Sequence, residues 1–461
     1  MYWSRPIPVV EARDIAPPAA KMPKRVRLYF GLMALDCLCM IAAFLLASAI
    51  TNRQYLPLDG LTLAAMAMPI YLAIAANSQS YGIKMLKTPV EAGLNAFIHM
   101  GVTMFGVTMI LYLAHASTDT SRLSFLVGIT LSAIFVAAVR KPYAAFALRS
   151  MKGALTNEIV ILDDAHMPTD PQAYVVNAQE INLTPDLNDP YMLDRLGRWL
   201  RCFDRAVIAC PADRREVWSL ILRGANINGE IVVPDINLSG AIGIGAYNGY
   251  QTQIVSQGPL GMTNRAKKRL FDLALTVPTL LALTPLLALI AIAIKLESKG
   301  PILFVQKRVG RSNALFNIYK FRSMRVEQCD ANGQRSASRD DDRITKVGRI
   351  LRGTSLDELP QLFNVLLGDM SLVGPRPHAL GSKADNKPFW EISPLYWCRH
   401  SLKPGITGLA QVRGFRGATE TAADIENRLG ADLEYIQHWS LAHEIVILLN
   451  TVRVLVHKNA F

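Results

Sequence analysis

Charge is scarce over long stretches of this 461-residue sequence. Four segments, about 26–50, 61–76, 90–114 and 124–139, are apolar and almost free of acids and bases. Such runs do not fit an ordinary soluble globule. With 51% hydrophobic residues and a mean hydropathy of +0.21, they point to a membrane protein with a soluble remainder. Cysteine is equally sparse. Cys37 and Cys39 lie in an apolar run and Cys202, Cys210, Cys329 and Cys398 are scattered, a spacing that fits neither a zinc site nor a disulfide framework. The N-terminus has neither a basic start nor an early apolar core, so no cleaved signal peptide is expected, and 1–25 reads as a disordered tail. No Gly-x-Gly follows the first β-branched run after residue 152. That run, "NEIVILDD", ends on Asp163-Asp164, which argues against a dinucleotide fingerprint.

The apolar segments read as four transmembrane helices within 26–152, because they are apolar on every face rather than along one stripe. Lys21, Lys24, Arg25 and Arg27 precede the first, Lys84 and Lys87 separate the second and third, and Arg140, Lys141, Arg149 and Lys152 follow the fourth. The other two loops hold only Arg53 and Arg122. Basic residues collect on the cytoplasmic side, which places the N-terminus and everything after residue 140 there. Over 153–262, "NEIVILDD", "DRAVIAC" and "GEIVVPD" with the helical "RREVWSLILRGAN" predict a cytoplasmic α/β, Rossmann-like domain, with regulation or dimer contact as its role.

A fifth apolar run, 270–294, is long enough to cross a bilayer but holds Pro278 and Pro285. Each proline removes a backbone donor and bends a helix. Arg265, Lys267, Lys268 and Arg269 before it and Lys295 and Lys299 after it favour neither crossing direction. A re-entrant helix, broken at Thr284-Pro285 with the Thr284 hydroxyl on a freed carbonyl, satisfies both observations. A kinked fifth span is the alternative. Lys307, Arg308, Arg311, Lys320, Arg322 and Arg325 follow, and Glu297 is the only acid between Lys295 and Arg325. This basic face lacks regularly interleaved aromatics, so it fits lipid phosphate and a nucleotide diphosphate rather than nucleic acid. "TSLDELPQLF" then sets Asp357 beside Glu358. Adjacent carboxylates repel unless a cation joins them, and phosphate chemistry brings Mg²⁺, with Arg349, Arg352 and Arg376 close in sequence. One carboxylate could serve as nucleophile. A capping box between Ser355 and Glu358 is the structural alternative.

The motifs "GPILFVQKRVG", "FNIYKFRSM", "DDRITKVGRILRGTSLDELPQLFNVLLGDMSLVGPRP" and "RHSLKPGITGLAQVRGFRG" resemble, in this order, the bacterial sugar transferase family of polyprenyl-phosphate hexose-1-phosphate transferases. The resemblance implies a mainly helical monotopic catalytic domain over 263–461 with a re-entrant helix at 270–294, in an inner-membrane, multi-pass protein whose catalytic domain faces the cytoplasm. It implies Asp357 as nucleophile, Glu358 as metal partner with Mg²⁺, and Lys320, Arg322, Arg349, Arg352 and Arg376 as phosphate or substrate binders. It further implies a UDP-sugar donor, undecaprenyl phosphate as acceptor, contact with membrane lipid and a homodimer. The expected reaction moves glucose-1-phosphate from UDP-glucose and releases UMP. Galactose-1-phosphate, an N-acetylhexosamine-1-phosphate, or a catalytically silent assembly scaffold are the alternatives.

Overall fold

The computed structural model describes residues 18–51, 58–113, 122–170, 173–233, 241–325, 343–415, 419 and 421–456. They form two compact units, Ala19–Thr156 and Asn157–Phe461. The tail expected over 1–25 lies mostly outside the described residues, and its last part is already helical, since α1 begins at Met22. Cys329 also lies outside them; the other five cysteines are free thiols.

The first unit contains α1 (Met22–Thr51), α2 (Leu58–Asn77), the short α3 (Ile83–Lys87), α4 (Pro89–Leu113) and α5 (Arg122–Ser150). Apolar sequence favours helices here because only a helix satisfies every backbone group within one segment. α1 packs on α5 and α2, and α4 packs on α5 and α2. Met40, Phe44, Ala67, Tyr71, Met100 and Val136 form the interior, while Phe30, Leu38, Phe97 and Phe105 point outward. One polar cluster interrupts this core. Arg140 pairs with Asp36 at 2.7 Å, both fully buried, the Tyr81 hydroxyl donates to the same carboxylate at 2.9 Å, and Arg140 donates to Tyr71 at 3.2 Å.

The second unit begins with a six-stranded sheet. β1 (Glu158–Leu162), β2 (Tyr174–Asn177), β3 (Arg205–Ala209) and β4 (Asn228–Val232) run parallel, and β5 (Gly243–Tyr247) and β6 (Tyr250–Ser256) complete it antiparallel, in the order β2-β1-β3-β4-β6-β5. α6 (Pro190–Leu200) and α7 (Arg215–Ala225) cover one face. Strand side chains alternate between faces: Ile159, Ile161, Ala206 and Ile208 join the core under these helices, and Val160 and Val207 join the opposite one. The same core continues into the rest of the unit through Val309, Tyr396, Trp397 and Ile425.

The remaining chain holds α8 (Met262–Glu297), the hairpin β7 (Leu303–Val309) and β8 (Leu315–Phe321), α9 (Lys346–Gly353) and α10 (Gln361–Leu367). Next come β9 (Ser371–Val373), β10 (Lys383–Ala384), β11 (Lys387–Pro388), α11 (Phe389–Ile392) and β12 (Gly405–Thr407), the last parallel to β9. α12 (Leu409–Val412), α13 (Ala422–Gln437) and α14 (Leu441–Val456) close it. Among the described residues five helices are long and apolar enough to cross a membrane: α1, α2, α4, α5 and α8. This is a membrane protein with a mixed α/β part.

α8 departs from the expected helix-break-helix, since it is one continuous helix through Pro278 and Pro285. The Thr284 hydroxyl donates to the Leu280 carbonyl at 2.8 Å. Pro285, lacking an N–H, deprives the carbonyl of Leu281, so the Thr284 bond lies one residue away from the repair the sequence predicted. Both ends of α8 are tied to its own unit. Lys268 donates to the Val373 carbonyl and pairs with Glu444, and Asp272 accepts from Ser371 and from the Leu372 backbone. At the other end Ile290 and Ile294 pack with Phe321 and Leu351.

Two glycines test this packing with opposite signs. In α6 a Cβ on Gly197 would collide with the Ser312 carbonyl oxygen, whereas on α13 Gly430 is exposed with open space around it. Gly197→Ala should lose about 1–3 kcal/mol through overpacking, and Gly430→Ala should gain about 0.5–1 kcal/mol. Thermal unfolding of the detergent-purified chain would read both; a neutral Gly197→Ala would refute the close approach.

Candidate active site

The β7–β8 hairpin brings the first basic residues to the site. Its register sets Lys320 opposite Phe304, Ile318 opposite Gln306 and Phe316 opposite Arg308, so Lys320 and Arg308 share one face while Leu303, Val305 and Lys307 take the other. Its turn is held open by left-handed Ser312 and Asn313 (φ 61° and 58°), which non-glycine residues adopt only with local support. That support comes from α6 and α7. Arg198 donates to the Leu315 carbonyl at 2.7 Å, Asp194 accepts from the Leu315 N–H at 2.7 Å, and the Asn313 amide meets His400 at 2.9 Å.

The dyad lies on a break between two helices. Thr345 caps α9, its hydroxyl accepting from Gly348 N–H at 3.0 Å, and the Glu297 carboxylate from the end of α8 accepts from Lys346 N–H at 2.7 Å, favourable at a helix N-terminus. After α9, Ser355 turns left-handed (φ 56°) and Leu356–Glu358 form a 3₁₀ turn leading to α10. The capping-box alternative is not adopted. Ser355 makes no side-chain cap bond, and the Glu358 side chain goes to cations instead.

Glu358 Oε1 accepts from Lys320 Nζ at 2.7 Å and from Arg376 Nη2 at 2.6 Å, and Arg376 Nη1 reaches Oε2 at 3.3 Å. Burial pushes this carboxyl up, but Arg376 and Lys320 outweigh burial and hold it well below the usual range. Asp357 goes the other way. Burial and the Glu358 charge raise its pKa, and Lys320, Arg352 and Arg376 offset this only in part. Arg376 is itself positioned: its carbonyl accepts from Arg399 Nη2 at 2.9 Å, and Arg399 is held by Asp432 Oδ2 at 2.5 and 2.9 Å. Arg399 also reaches His378 Nδ1 at 2.8 Å; burial and the surrounding arginines push the His378 pKa down, so it is neutral.

Of the residues chosen from the sequence, the structure gathers Asp357, Glu358, Lys320 and Arg376 directly and brings Arg352 within electrostatic reach of Asp357. Arg349 stays exposed on α9. Arg322 is placed at the end of α8. It is buried and donates to the carbonyls of Ser298 and Lys299, both at 2.8 Å, closing the C-terminus of α8 rather than facing the dyad. Thr284 and Pro285 lie within α8 as described above. In the sequence Arg308 reads as one more cation of the basic run, and the fold brings it to the dyad. Its neighbours Arg376 and Glu358 are site residues, Gln306 and the Pro377 carbonyl are its hydrogen-bond partners, and burial with the Arg376 charge lowers its pKa to about 10. The period-two register with Lys320 was the available signal. Arg399 and Asp432, 33 residues apart, left none.

Among the described residues no group of three or more His, Cys, Asp or Glu could hold a metal. Mg²⁺ asks for less, one or two carboxylates with substrate and water oxygens completing the shell. Among the described residues Asp357 makes no ion pair, and Glu358 Oε2 is only loosely engaged, so the dyad fits that requirement.

The two carboxylates should therefore respond differently to neutral isosteres when unfolding is measured without added divalent cation. Asp357→Asn removes a half-buried charge that has no ion pair among the described residues, and it should leave the melting temperature unchanged or raised. Glu358→Gln strands Lys320 and Arg376. A fully buried pair broken this way costs about 3–5 kcal/mol, and the 16–28% exposure here reduces that to roughly 2–3 kcal/mol. Equal melting temperatures for the two variants would contradict this division.

Comparison with known proteins follows the same residues. The family model for bacterial sugar transferases matches 263–458. The undecaprenyl-phosphate glucose phosphotransferase of Komagataeibacter xylinus is 43% identical over 263 residues, 56% of this chain, which spans about half (49%) of that relative's length. The UDP-glucose:undecaprenyl-phosphate glucose-1-phosphate transferase of Caulobacter vibrioides is 47% identical over 218 residues, 46% of this chain and 80% of the relative. The exopolysaccharide production protein PSS of Rhizobium leguminosarum bv. phaseoli is 47% identical over 185 residues, 40% of this chain and 92% of the relative. At that identity and coverage, the chain belongs to the bacterial sugar transferase family.

Proposed function

We propose that this protein transfers a hexose-1-phosphate, glucose-1-phosphate from UDP-glucose, to undecaprenyl phosphate and releases UMP, beginning an exopolysaccharide or related glycan. The carrying observation is the Asp357-Glu358 pair, half-buried in the field of Lys320, Arg308 and Arg376 in the same unit as an apolar helix. The Asp357 carboxylate attacks the sugar-bearing phosphorus of the donor; the bond to the bridging oxygen breaks and its electrons leave with UMP. A phosphate oxygen of the lipid then attacks the same phosphorus, freeing Asp357. Lys320 and Arg376 offset phosphate charge, and Glu358 holds both cations in place. Mg²⁺ bound by the dyad would supply further charge neutralisation for the diphosphate. One pyrophosphate bond replaces another, so the reaction is nearly balanced and needs no ATP.

The α/β sheet is read as Rossmann-like from its parallel β2-β1-β3-β4 order, and the protein as an inner-membrane homodimer with its catalytic part in the cytoplasm. α8 is read as re-entrant. A helix crossing the bilayer would separate its ends, yet Lys268 and Asp272 at one end and Ile290 and Ile294 at the other bind the same compact unit. A bend at Pro278 and Pro285 within an intact helix accommodates this.

Two measurements test the reading. UMP should exchange with UDP-glucose in the absence of lipid, Asp357→Asn should lose exchange and lipid labelling together, and a panel of UDP-sugars should favour UDP-glucose. Intersecting velocity patterns without exchange would mean direct transfer. For topology, Ser298 is engaged by Arg322, so the reporter belongs on the exposed Lys299. In a cysteine-free background, Lys299→Cys should resist an impermeant thiol reagent applied to intact cells, and labelling from outside would establish a fifth span.

A further inference from the structure

An apolar cavity of about 380 Å³ opens against Glu358 of the dyad. Leu283 from the middle of α8 forms one wall, Leu356, Leu359 and Leu362 around the 3₁₀ turn a second, and Ile406 and Val412 a third. Among the described residues Glu358 is the one charged residue that lines it. The threonines that contribute to the walls are already satisfied. Thr279 donates to the Leu275 carbonyl and Thr354 to that of Ile350, both at 2.8 Å, while Thr407 and Thr451 bond each other at 2.7 Å. Gln411 Oε1, buried without a partner, marks a single polar spot.

We infer that this cavity holds the head-proximal isoprenoid units of the lipid phosphate acceptor, an assignment that rests on the proposed transfer reaction. A nucleotide diphosphate is the wrong occupant. It needs cations around its phosphates, and no Lys or Arg lines the cavity. A hydrocarbon chain suits walls whose hydroxyls need no further partner. Thr279 and Leu283 lie ten or more residues inside the flanking Arg269 and Lys295, about 15 Å along the helix axis. The wall is therefore continuous with the apolar run of α8, where Leu281 and Leu289 are exposed, and a chain in the bilayer enters sideways without crossing water. α14 gains a role here. Thr451 places it on the cavity, Glu444 fixes it to Lys268, and Leu449 and Val452 remain exposed beside it. Donor and acceptor then approach the dyad from chemically opposite sides, the donor along the Lys320 and Arg376 side and the acceptor chain through the cavity.

The test fills the cavity from opposite walls with Leu283→Trp and Val412→Trp in the full chain, with Leu283→Ala and Val412→Ala as milder variants should the larger ones not fold. Each folded Trp variant should raise the KM for undecaprenyl phosphate at least tenfold and leave the KM for UDP-glucose within twofold, while lipid-independent UMP exchange persists. The short acceptor farnesyl phosphate should be affected as strongly as the long one, because the cavity holds the units nearest the phosphate. Unchanged acceptor KM in folded variants, or exchange and transfer lost in parallel, would overturn the assignment. So would reduced membrane partitioning with an unchanged acceptor KM, which would give the cavity to bulk lipid. Absence of exchange in the parent chain is a separate result, because it removes the two-step reaction itself.

Discussion

The site depends on keeping two adjacent carboxylates close to an apolar helix. Left alone, such a pair would lose one charge to burial and mutual repulsion. The structure treats the two unequally: Lys320 and Arg376 neutralise Glu358, and among the described residues Asp357 receives no ion pair. The same inequality suits the two roles proposed for them. A carboxylate already surrounded by donors is a poor nucleophile but a good organiser, and its neighbour keeps an unengaged oxygen. Much of the surrounding fold then serves to hold the two cations still. Arg399 and Asp432 fix the backbone of Arg376, and α6 fixes the turn of the hairpin that carries Lys320.

α8 imposes the second constraint. It is apolar over most of its length, yet its ends meet polar partners in the same unit: Lys268 and Asp272 on β9 and α14, and the C-terminal carbonyls on Arg322. Glu297 then stabilises the start of α9, the helix leading to the dyad. Placement of the membrane segment and placement of the catalytic turn are thus one mechanical problem. Ile294 and Asp357 are 63 positions apart in sequence, yet Phe321 and Leu351, from the elements between them, pack into the same cluster as Ile294.

The parts legible in sequence were those governed by local rules. Four apolar helices follow from composition, the parallel strands from β-branched runs, and the dyad from the peculiarity of adjacent acids in a basic setting. Features governed by tertiary contact were hidden. Arg322 reads as one more cation in "YKFRSM", and only the fold shows it closing a helix. Ser355 in front of Glu358 spells a capping box, but its left-handed backbone and the pull of Lys320 and Arg376 redirect the glutamate. Thr284 bonds the carbonyl before the one that Pro285 leaves open, a one-residue difference that spacing cannot resolve. Asp36 and Arg140 are 104 residues apart, and nothing local announces that they meet.

The α/β layer belongs to this account as well. A hairpin turn with two left-handed non-glycine residues would relax if exposed, because each costs free energy that solvent does not return. Here Ser312 and Asn313 are buried against α6, α7 and His400, and Gly197 lets the Ser312 carbonyl approach the helix backbone directly. The strain is local, but its consequence reaches Lys320 at the far end of β8 through seven paired residues. A layer that carries no recognisable nucleotide loop can therefore still shape the candidate site, by fixing the turn of the hairpin from which one of the two cations reaches the dyad.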